Sequence, residues 1–151
     1  MNLTETAEII TWPETHYVFV EKAGSFPQNA PLTWQEFQQF IPRLMGDSAV
    51  TGFLSLYKLE PPVYRAGASV TAKPAQLSGK LRYEHFKGGK YARFVLTGSY
   101  SQLPQATGRV FEIVSAKKLR MRSDFHIEHY MNDPATTPEE TLLTEMLFPV
   151  E

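Results

Sequence analysis

Extended and helical hydrophobic patterns alternate along the chain. Segments rich in Ile, Val, Thr and aromatic residues predict strands over residues 8–12 and 16–23, which are separated at Pro13. Two further strands are predicted in "TGFLSLYKLEPP" and "VYRAGASVTA", and the first of them ends at the double proline. These segments indicate a sheet rather than a helical bundle.

A helix is predicted to begin at Thr33, after a polar loop from Ser25 to Leu32. Thr33 and Glu36 have the spacing of a capping box, in which each side chain satisfies a backbone amide of the first turn. Pro42 is expected to kink or end this helix. Apolar residues at helical spacing form its one apolar face: Trp34, Phe37, Phe40, Ile41, Leu44 and Met45.

The second half of the chain repeats the first. A shift of 74 residues places Tyr17 on Tyr91 and Gly24-Ser25-Phe26 on Gly98-Ser99-Tyr100. The second helix is then predicted over about 102–118. The predicted boundaries within one domain of residues 1–151 are about 8–71 for repeat 1, 72–80 for a connector and 81–150 for repeat 2.

Each repeat therefore has the order strand, helix, strand, strand, which predicts a tandem βαββ fold of the α+β class. Two such units most simply form an antiparallel sheet with both helices on one face. A ligand groove is expected at the pseudo-twofold seam, because both halves can contribute side chains there.

Glu128 is an acidic residue at the centre of a segment with a strand pattern, "SDFHIEHYMNDP". Alternate side chains of a strand share a face, so His126, Glu128 and Tyr130 are predicted to point the same way. A slightly smaller repeat shift places Leu56 on Glu128, which indicates that the position is shielded from water. A shielded carboxylate costs free energy unless a partner compensates it.

Two interpretations of Glu128 follow from the pattern. It is either the anion of a ligand pocket or an ordinary surface glutamate. In the first case, aromatic side chains would add cation–π contacts of about 0.5–2 kcal/mol each. In the second case it is an exposed edge-strand residue or an ion-pair partner of Arg65, Arg93 or Lys90.

The bulk composition limits the possible function. The net charge of −1 gives no electrostatic case for nucleic acid or anionic membranes, so neither partner is predicted. The absence of cysteine excludes disulfides and thiolate chemistry. No signal peptide or spanning segment is recognisable, and a bacterial cytoplasmic protein is expected. Aromatic residues make up 13% of the chain, which fits an apolar cavity or a large core.

No metal or cofactor is predicted. The chain has four histidines, and His126 shares a strand face with Glu128. No third ligand has a recognisable spacing, so this pair is weak evidence for a metal site. The segment Lys87 to Lys90 is predicted to be a turn rather than a phosphate-binding loop, since no helix follows it.

Two segments, "GGKYARFVLTGSYSQLPQATGRVFEIV" and "FHIEHYMNDPATTPEETLLTEMLFPVE", resemble the C-terminal half of the GyrI-like small-molecule-binding domains. These domains are also the effector-binding domains of AraC- and MerR-type multidrug regulators. The shared pattern includes Glu-x-Tyr, Asn-Asp-Pro and a closing Thr-Glu-x-x-x-Pro-Val over about residues 88–150. The chain departs from it at Ser99, where proline is common. The repeats leave no length for a DNA-binding domain, so a stand-alone form is predicted.

The resemblance implies that Glu128 is the acid of the pocket. By the same matching, Tyr100 and Tyr130 are candidate pocket aromatics, and Phe148 is a further candidate. The first half matches the family only in outline, and its candidate lining residues are Trp12, Phe19 and Tyr64.

The resemblance implies a non-enzymatic binding protein for hydrophobic, aromatic and cationic small molecules. One alternative is a hydrolase of electrophilic, cyclopropane-containing natural products, in which Glu128 would be the catalytic base. A second alternative is a protein-interaction module such as a gyrase inhibitor, although the sequence identifies no protein partner.

Overall fold

The computed structural model describes residues 1–24, 26–47 and 49–151. The chain forms two compact units. One contains Met1–Trp12 and Gly89–Glu151, and we call it the terminal unit. The other contains Pro13–Gly88, and we call it the middle unit. Each unit combines helix with antiparallel sheet, which confirms the predicted α+β class.

The structure contains the four strands predicted in the first half of the chain. A two-residue strand, Asn2–Leu3, and a separate helix, Ile41–Asp47, were not predicted. Two 3-10 turns, Tyr100–Gln102 and Glu139–Thr141, precede the last helix and the last strand respectively. In chain order the elements are β1 (Asn2–Leu3), β2 (Glu8–Trp12), β3 (Thr15–Ala23), α1 (Phe26–Gln38), α2 (Ile41–Asp47), β4 (Val50–Leu59), β5 (Pro62–Val70), β6 (Arg82–Phe86), β7 (Gly89–Thr97), α3 (Leu103–Ala116), β8 (His126–Tyr130) and β9 (Leu143–Pro149).

The terminal unit is a sheet with α3 packed on one face. β1 and β2 both pair with β7, β7 pairs with β9, and β9 pairs with β8, all antiparallel. Apolar residues of β7 and β9 that share a face meet the apolar side of α3 in one core. Its buried members are Ala92, Phe94, Leu96, Leu103, Ala106, Val110, Ile113, Val114, Met146, Phe148 and Val150.

The middle unit has the same plan. Its strands are ordered β4, β5, β3, β6 and pair antiparallel throughout. Phe37 of α1 and Leu44 of α2 are buried against residues of β3, β4 and β5. Burial of one apolar helix side against one sheet face is the main stabilising contribution in such a layer.

The register of the strands follows the 74-residue repeat. The first strand of each predicted repeat pairs with the second strand of the other: β2 pairs with β7, and β6 pairs with β3. Trp12 lies opposite Gly89, and Phe86 lies opposite Thr15, which are equivalent pairs under that shift. The division of residues 1–151 into repeats and a connector within one domain stays a prediction.

The start of the first helix was predicted wrongly. α1 begins at Phe26 and not at Thr33, so the predicted loop from Ser25 to Leu32 is mostly helical. Thr33 lies inside the helix, where its hydroxyl donates a 2.6 Å hydrogen bond to the carbonyl oxygen of Asn29. It therefore does not form the capping box. Ser25, which belongs to the matched Gly-Ser-aromatic turn, lies outside the described residues.

The predicted effect of Pro42 is confirmed. α1 ends at Gln38, and Pro42 lies at the second position of α2. A proline is tolerated in the first turn of a helix, because the amide it lacks has no helical partner there. The second predicted helix, about 102–118, is α3 and is shorter by one or two residues at each end.

Candidate functional site

Glu128 lies at the centre of β8, on the sheet face that α3 covers. It is directly opposite Met146 of β9, and Met146 is opposite Phe94 of β7. Met146 and Phe94 are fully buried in the core of the terminal unit. Directly paired residues share a face, so Glu128 points to the same side as this core. The alternation predicted for β8 is confirmed.

The carboxyl group of Glu128 has a neutral hydrogen-bond donor. The Tyr130 hydroxyl donates to Oε1 of Glu128 over 3.0 Å. Burial raises the pKa of Glu128 to about 7, and the hydrogen bond from Tyr130 opposes that rise. The residue still keeps some surface exposed to solvent. An acid that is strongly desolvated yet reachable has the properties of a functional carboxylate.

Aromatic rings lie on the same face as Glu128. Tyr100 meets Tyr130 edge to face, with ring centroids 5.3 Å apart. Phe148 of β9 meets Phe111 of α3 at 4.8 Å and His126 of β8 at 4.7 Å. The structure thus brings Tyr100, Tyr130 and Phe148 to the face that carries Glu128.

His126 is the second titratable group on this face. It is 6% exposed, and its ring lies against Phe111 and Phe148. Burial lowers its pKa to about 4, so the imidazole is neutral at physiological pH. A neutral His126 imidazole supplies no positive charge to compensate an ionised Glu128.

Trp12 does not lie with this group. It is opposite Gly89 on β7, whereas the residues that share the Glu128 face of β7 are Ala92, Phe94 and Leu96. The Trp12 ring instead meets His129 edge to face at 5.5 Å. Trp12 and Glu128 are therefore on opposite faces of the terminal sheet.

Two of the three cationic residues predicted as possible partners of Glu128, Arg93 and Arg65, form ion pairs with other acids. Arg93 pairs with Glu145 and with Glu8, at 2.9 Å from the latter, on the face opposite Glu128. Arg65 of the middle unit pairs with Glu21 at 2.8 Å and with Glu84 at 3.1 Å. Burial and the Tyr130 hydrogen bond, rather than an ion pair, are what shift the pKa of Glu128.

Phe19 and Tyr64 belong to the middle unit, on different faces of its sheet. Phe19 stacks on Tyr17 at 5.1 Å, and the guanidinium of Arg65 lies 4.2 Å from the centre of the Phe19 ring. Tyr64 is packed in the core beneath α1. Its hydroxyl is within hydrogen-bond distance of Ser55 Oγ at 2.6 Å and accepts from Trp34 Nε1 at 2.9 Å.

The counterpart of Glu128 in the middle unit is Ser55 and not Leu56. Val20 corresponds to Phe94 under the 74-residue shift; Val20 is opposite Ala66, and Ala66 is opposite Ser55. The equivalent series in the terminal unit runs from Phe94 through Met146 to Glu128. Leu56 lies on the other face, so the smaller sequence shift that aligned it with Glu128 was wrong by one residue.

Two residues near the site were not among the predicted lining residues. Phe111 contacts both His126 and Phe148. The 74-residue shift places Phe37, a fully buried core residue, on Phe111, and this match could have identified it. For His126, the sequence offers only weak evidence of a metal ligand and no role in a pocket lining. Within the described ranges, no group of three or more His, Asp or Glu residues is arranged to hold a metal ion.

None of the described helices is both long enough and apolar enough to cross a membrane.

Comparison with solved structures shows the same fold in several proteins. The C-terminal domain of EcmrR superposes with a TM-score of 0.78 at 16% identity, covering 97% of this chain and 97% of that one. SAV2435 bound to tetraphenylphosphonium superposes with a TM-score of 0.77 at 16% identity, covering 97% of this chain and 94% of that one. A hydrolase encoded by lin2189 from Listeria innocua superposes with a TM-score of 0.64 at 14% identity, covering 97% of this chain and 92% of that one.

Sequence comparison assigns the family. None of the curated proteins matches the chain at a significant level. The sequence model of the GyrI-like small molecule binding domain, however, matches residues 6–151, which is nearly the whole chain. The resemblance seen in the C-terminal half therefore extends over both units. The chain belongs to the GyrI-like family of small-molecule-binding domains.

Proposed function

We propose that the chain binds hydrophobic, aromatic cations at a site centred on Glu128. Glu128 supplies the negative charge, and Tyr100 and Tyr130 supply aromatic surface on the same face. Phe148, which is buried in the core of the terminal unit, stays a predicted lining residue. Phe19 and Tyr64 of the middle unit stay predictions, whereas Trp12 lies on the face of the sheet opposite Glu128 and is not part of the proposed site. No catalytic step, metal or cofactor is needed for this function.

The observation that carries the proposal is the environment of the Glu128 carboxyl group. It is desolvated enough to raise its pKa to about 7, and its hydrogen-bond donor is the neutral Tyr130 hydroxyl. An ionised carboxylate in such a place is unfavourable until a positive charge approaches it. A lipophilic cation supplies that charge at a low desolvation cost, and the aromatic rings add cation–π attraction.

One structural neighbour supports the same class of ligand. SAV2435 was solved bound to tetraphenylphosphonium, a hydrophobic aromatic cation. At 16% identity, the likeness of SAV2435 to this chain shows a shared fold. That this chain binds the same class of ligand is therefore part of the proposal.

Calorimetric titration with tetraphenylphosphonium at pH 8 tests the proposal. Glu128→Gln keeps the shape of the side chain but removes its charge, and it should weaken binding about tenfold or more, which is about 1.4 kcal/mol. Triphenylphosphine oxide, which is uncharged, should bind the wild type and Glu128→Gln with similar affinity. Equal affinity of tetraphenylphosphonium for both proteins, or no binding to the wild type, would refute the proposal.

A hydrolase is the second candidate, because a pKa of about 7 is suited to a general base at neutral pH. Glu128 would then activate a water molecule for attack on an electrophilic ligand. The similarity of fold to a hydrolase from Listeria innocua is compatible with this role.

Turnover distinguishes the two candidates. A strained, electrophilic cyclopropane substrate incubated with the wild type should give a ring-opened product, and Glu128→Gln should not form it. Tight stoichiometric binding of cations without turnover of such substrates would instead leave binding as the function.

A further inference from the structure

A network of hydrogen-bonded ionisable side chains crosses the terminal sheet on the face opposite Glu128. His129 Nδ1 is 2.6 Å from Glu145 Oε1, and these residues are directly opposite each other on β8 and β9. The other oxygen of Glu145 accepts a hydrogen bond from Arg93 Nε of β7. Arg93 in turn donates to Glu8 of β2 over 2.9 Å. The hydrogen-bond network therefore connects four neighbouring strands, β8, β9, β7 and β2.

The direction of the His129–Glu145 hydrogen bond follows from charge. Glu145 is 9% exposed, and hydrogen bonds from His129 and Arg93 hold its pKa below the usual range. Its carboxylate is therefore ionised at physiological pH and can only accept. Nδ1 of His129 must carry the proton, which fixes the orientation of the imidazole ring.

The ring of His129 is also held from a second direction. Trp12 of β2 meets it edge to face, with ring centroids 5.5 Å apart. Glu8, the last residue of the hydrogen-bond network, lies on the same strand as Trp12. A side chain held both by a partly buried hydrogen bond to a carboxylate and by an aromatic contact has little freedom to change rotamer.

His129 and Glu128 are consecutive residues of a strand only five residues long. The two side chains point to opposite faces of the sheet, so the β8 backbone that orients one also orients the other. Functional groups keep their geometry when the residues behind them are locked by hydrogen bonds and packing.

We propose that His129 is a positioning residue for Glu128. Glu145 holds it, through the hydrogen-bond network that continues to Arg93 and Glu8. It acts through the β8 backbone and does not contact the ligand. The inference rests on the proposed function where ligand binding is concerned, but the position of the Glu128 carboxyl group can be tested without any ligand.

The experiment is a 13C NMR titration of the Glu128 carboxyl group in the whole chain. His129→Leu removes the donor, and His129→Asn keeps an amide N–H close to the position of Nδ1. In His129→Leu the carboxyl group should become more hydrated, and its titration midpoint should fall by about one pH unit toward the ordinary value. His129→Asn should restore most of the wild-type midpoint.

Affinity for tetraphenylphosphonium is the second measurement. His129→Leu should weaken binding about fivefold, and His129→Asn should bind within about twofold of the wild type. Arg109→Leu is the matched control, because it removes ion pairs of the same unit, with Glu5 and Glu112, that do not involve β8. It should change neither the midpoint nor the affinity.

An unchanged Glu128 midpoint in His129→Leu would overturn the proposal, as would an equal change in Arg109→Leu. If His129→Leu does not fold, Glu145→Gln carries the same test, since it keeps the shape of its side chain. Loss of binding in Glu128→Gln with an unaffected His129→Leu would reject the positioning role alone. A wild type that binds no cation would reject the proposed function, and the NMR titration would still decide the role of His129.

Discussion

The Tyr130 hydroxyl donates a 3.0 Å hydrogen bond to Glu128, two residues before it on the same face of β8. This hydrogen bond favours the ionised carboxylate, whereas burial favours the neutral acid, and burial has the larger effect on the pKa of Glu128. The site is therefore poised so that Glu128 changes its charge near neutral pH.

Tyr130→Phe should raise the pKa of Glu128 further. The substitution keeps the ring but removes the hydroxyl that stabilises the carboxylate, so desolvation acts unopposed. NMR titration of the carboxyl group should give a midpoint above about 7. Phe111→Leu, which leaves the hydroxyl in place, should leave the midpoint closer to the wild-type value. A lower midpoint in Tyr130→Phe would contradict the assignment of this hydrogen bond.

The stability of the fold should depend on the charge of Glu128. Its pKa is about 7 in the folded chain against an ordinary value of 4.5. Below pH 4.5 both states bind the proton, and no stability is lost. As the pH rises from 4.5 to 7, the unfolded chain ionises first, so the folded state loses stability, and the loss levels off above pH 7.

Glu128→Gln should therefore gain stability relative to the wild type as the pH rises, by about 2–3 kcal/mol at pH 8. Urea denaturation of both proteins between pH 4 and pH 8 measures this difference directly. Because the comparison is between two proteins at each pH, the titration of other groups cancels. A difference that is constant across this range would contradict the raised pKa.

His126 should produce the opposite dependence. Its pKa falls from 6.5 to about 4 on folding, because the imidazole is buried between Phe111 and Phe148. The stability that the neutral ring contributes is complete above pH 6.5. As the pH falls from 6.5 to 4, the unfolded chain takes up the proton first, so the folded state loses stability, and the loss levels off below pH 4. His126→Leu should remove this loss, and thermal melts at pH 4.5 and pH 7 should then differ less than in the wild type.

The sequence predicted the face of Glu128 because strand alternation is a local property. His126, Glu128 and Tyr130 share a face in any regular strand, whatever the rest of the chain does. The 74-residue repeat was also predictable, since Tyr17 and Tyr91 occupy equivalent places. Each is fully buried and donates to a backbone oxygen, that of Leu54 at 2.9 Å and that of Phe125 at 2.7 Å.

Two features could not be predicted because they depend on tertiary contacts. The start of α1 contains Pro31, and a polar segment with proline predicts a loop. In the folded chain Asn29 donates to the backbone oxygen of Ala23, and Ala30 packs on the core, so helix is favoured there. The counterpart of Glu128 was missed because a shift of one residue exchanges the faces of a strand. Only the pairing register distinguishes Ser55 from Leu56.

Two glycines should respond oppositely to alanine. A Cβ at Gly67 of β5 would lie 2.4 Å from the backbone oxygen of Val18 and 2.8 Å from Cβ of Phe19, so the paired strand β3 would have to move. Gly67→Ala should destabilise the fold by about 3 kcal/mol or more, as overpacking against a fixed backbone does.

Gly108 lies on the exposed side of α3, and a Cβ there meets nothing within 4 Å among the described residues. Gly108→Ala should therefore stabilise the chain by about 0.5–1 kcal/mol, because glycine loses more backbone entropy in a helix. Equal urea midpoints for the two variants would contradict the tight approach of β3 and β5 at Gly67.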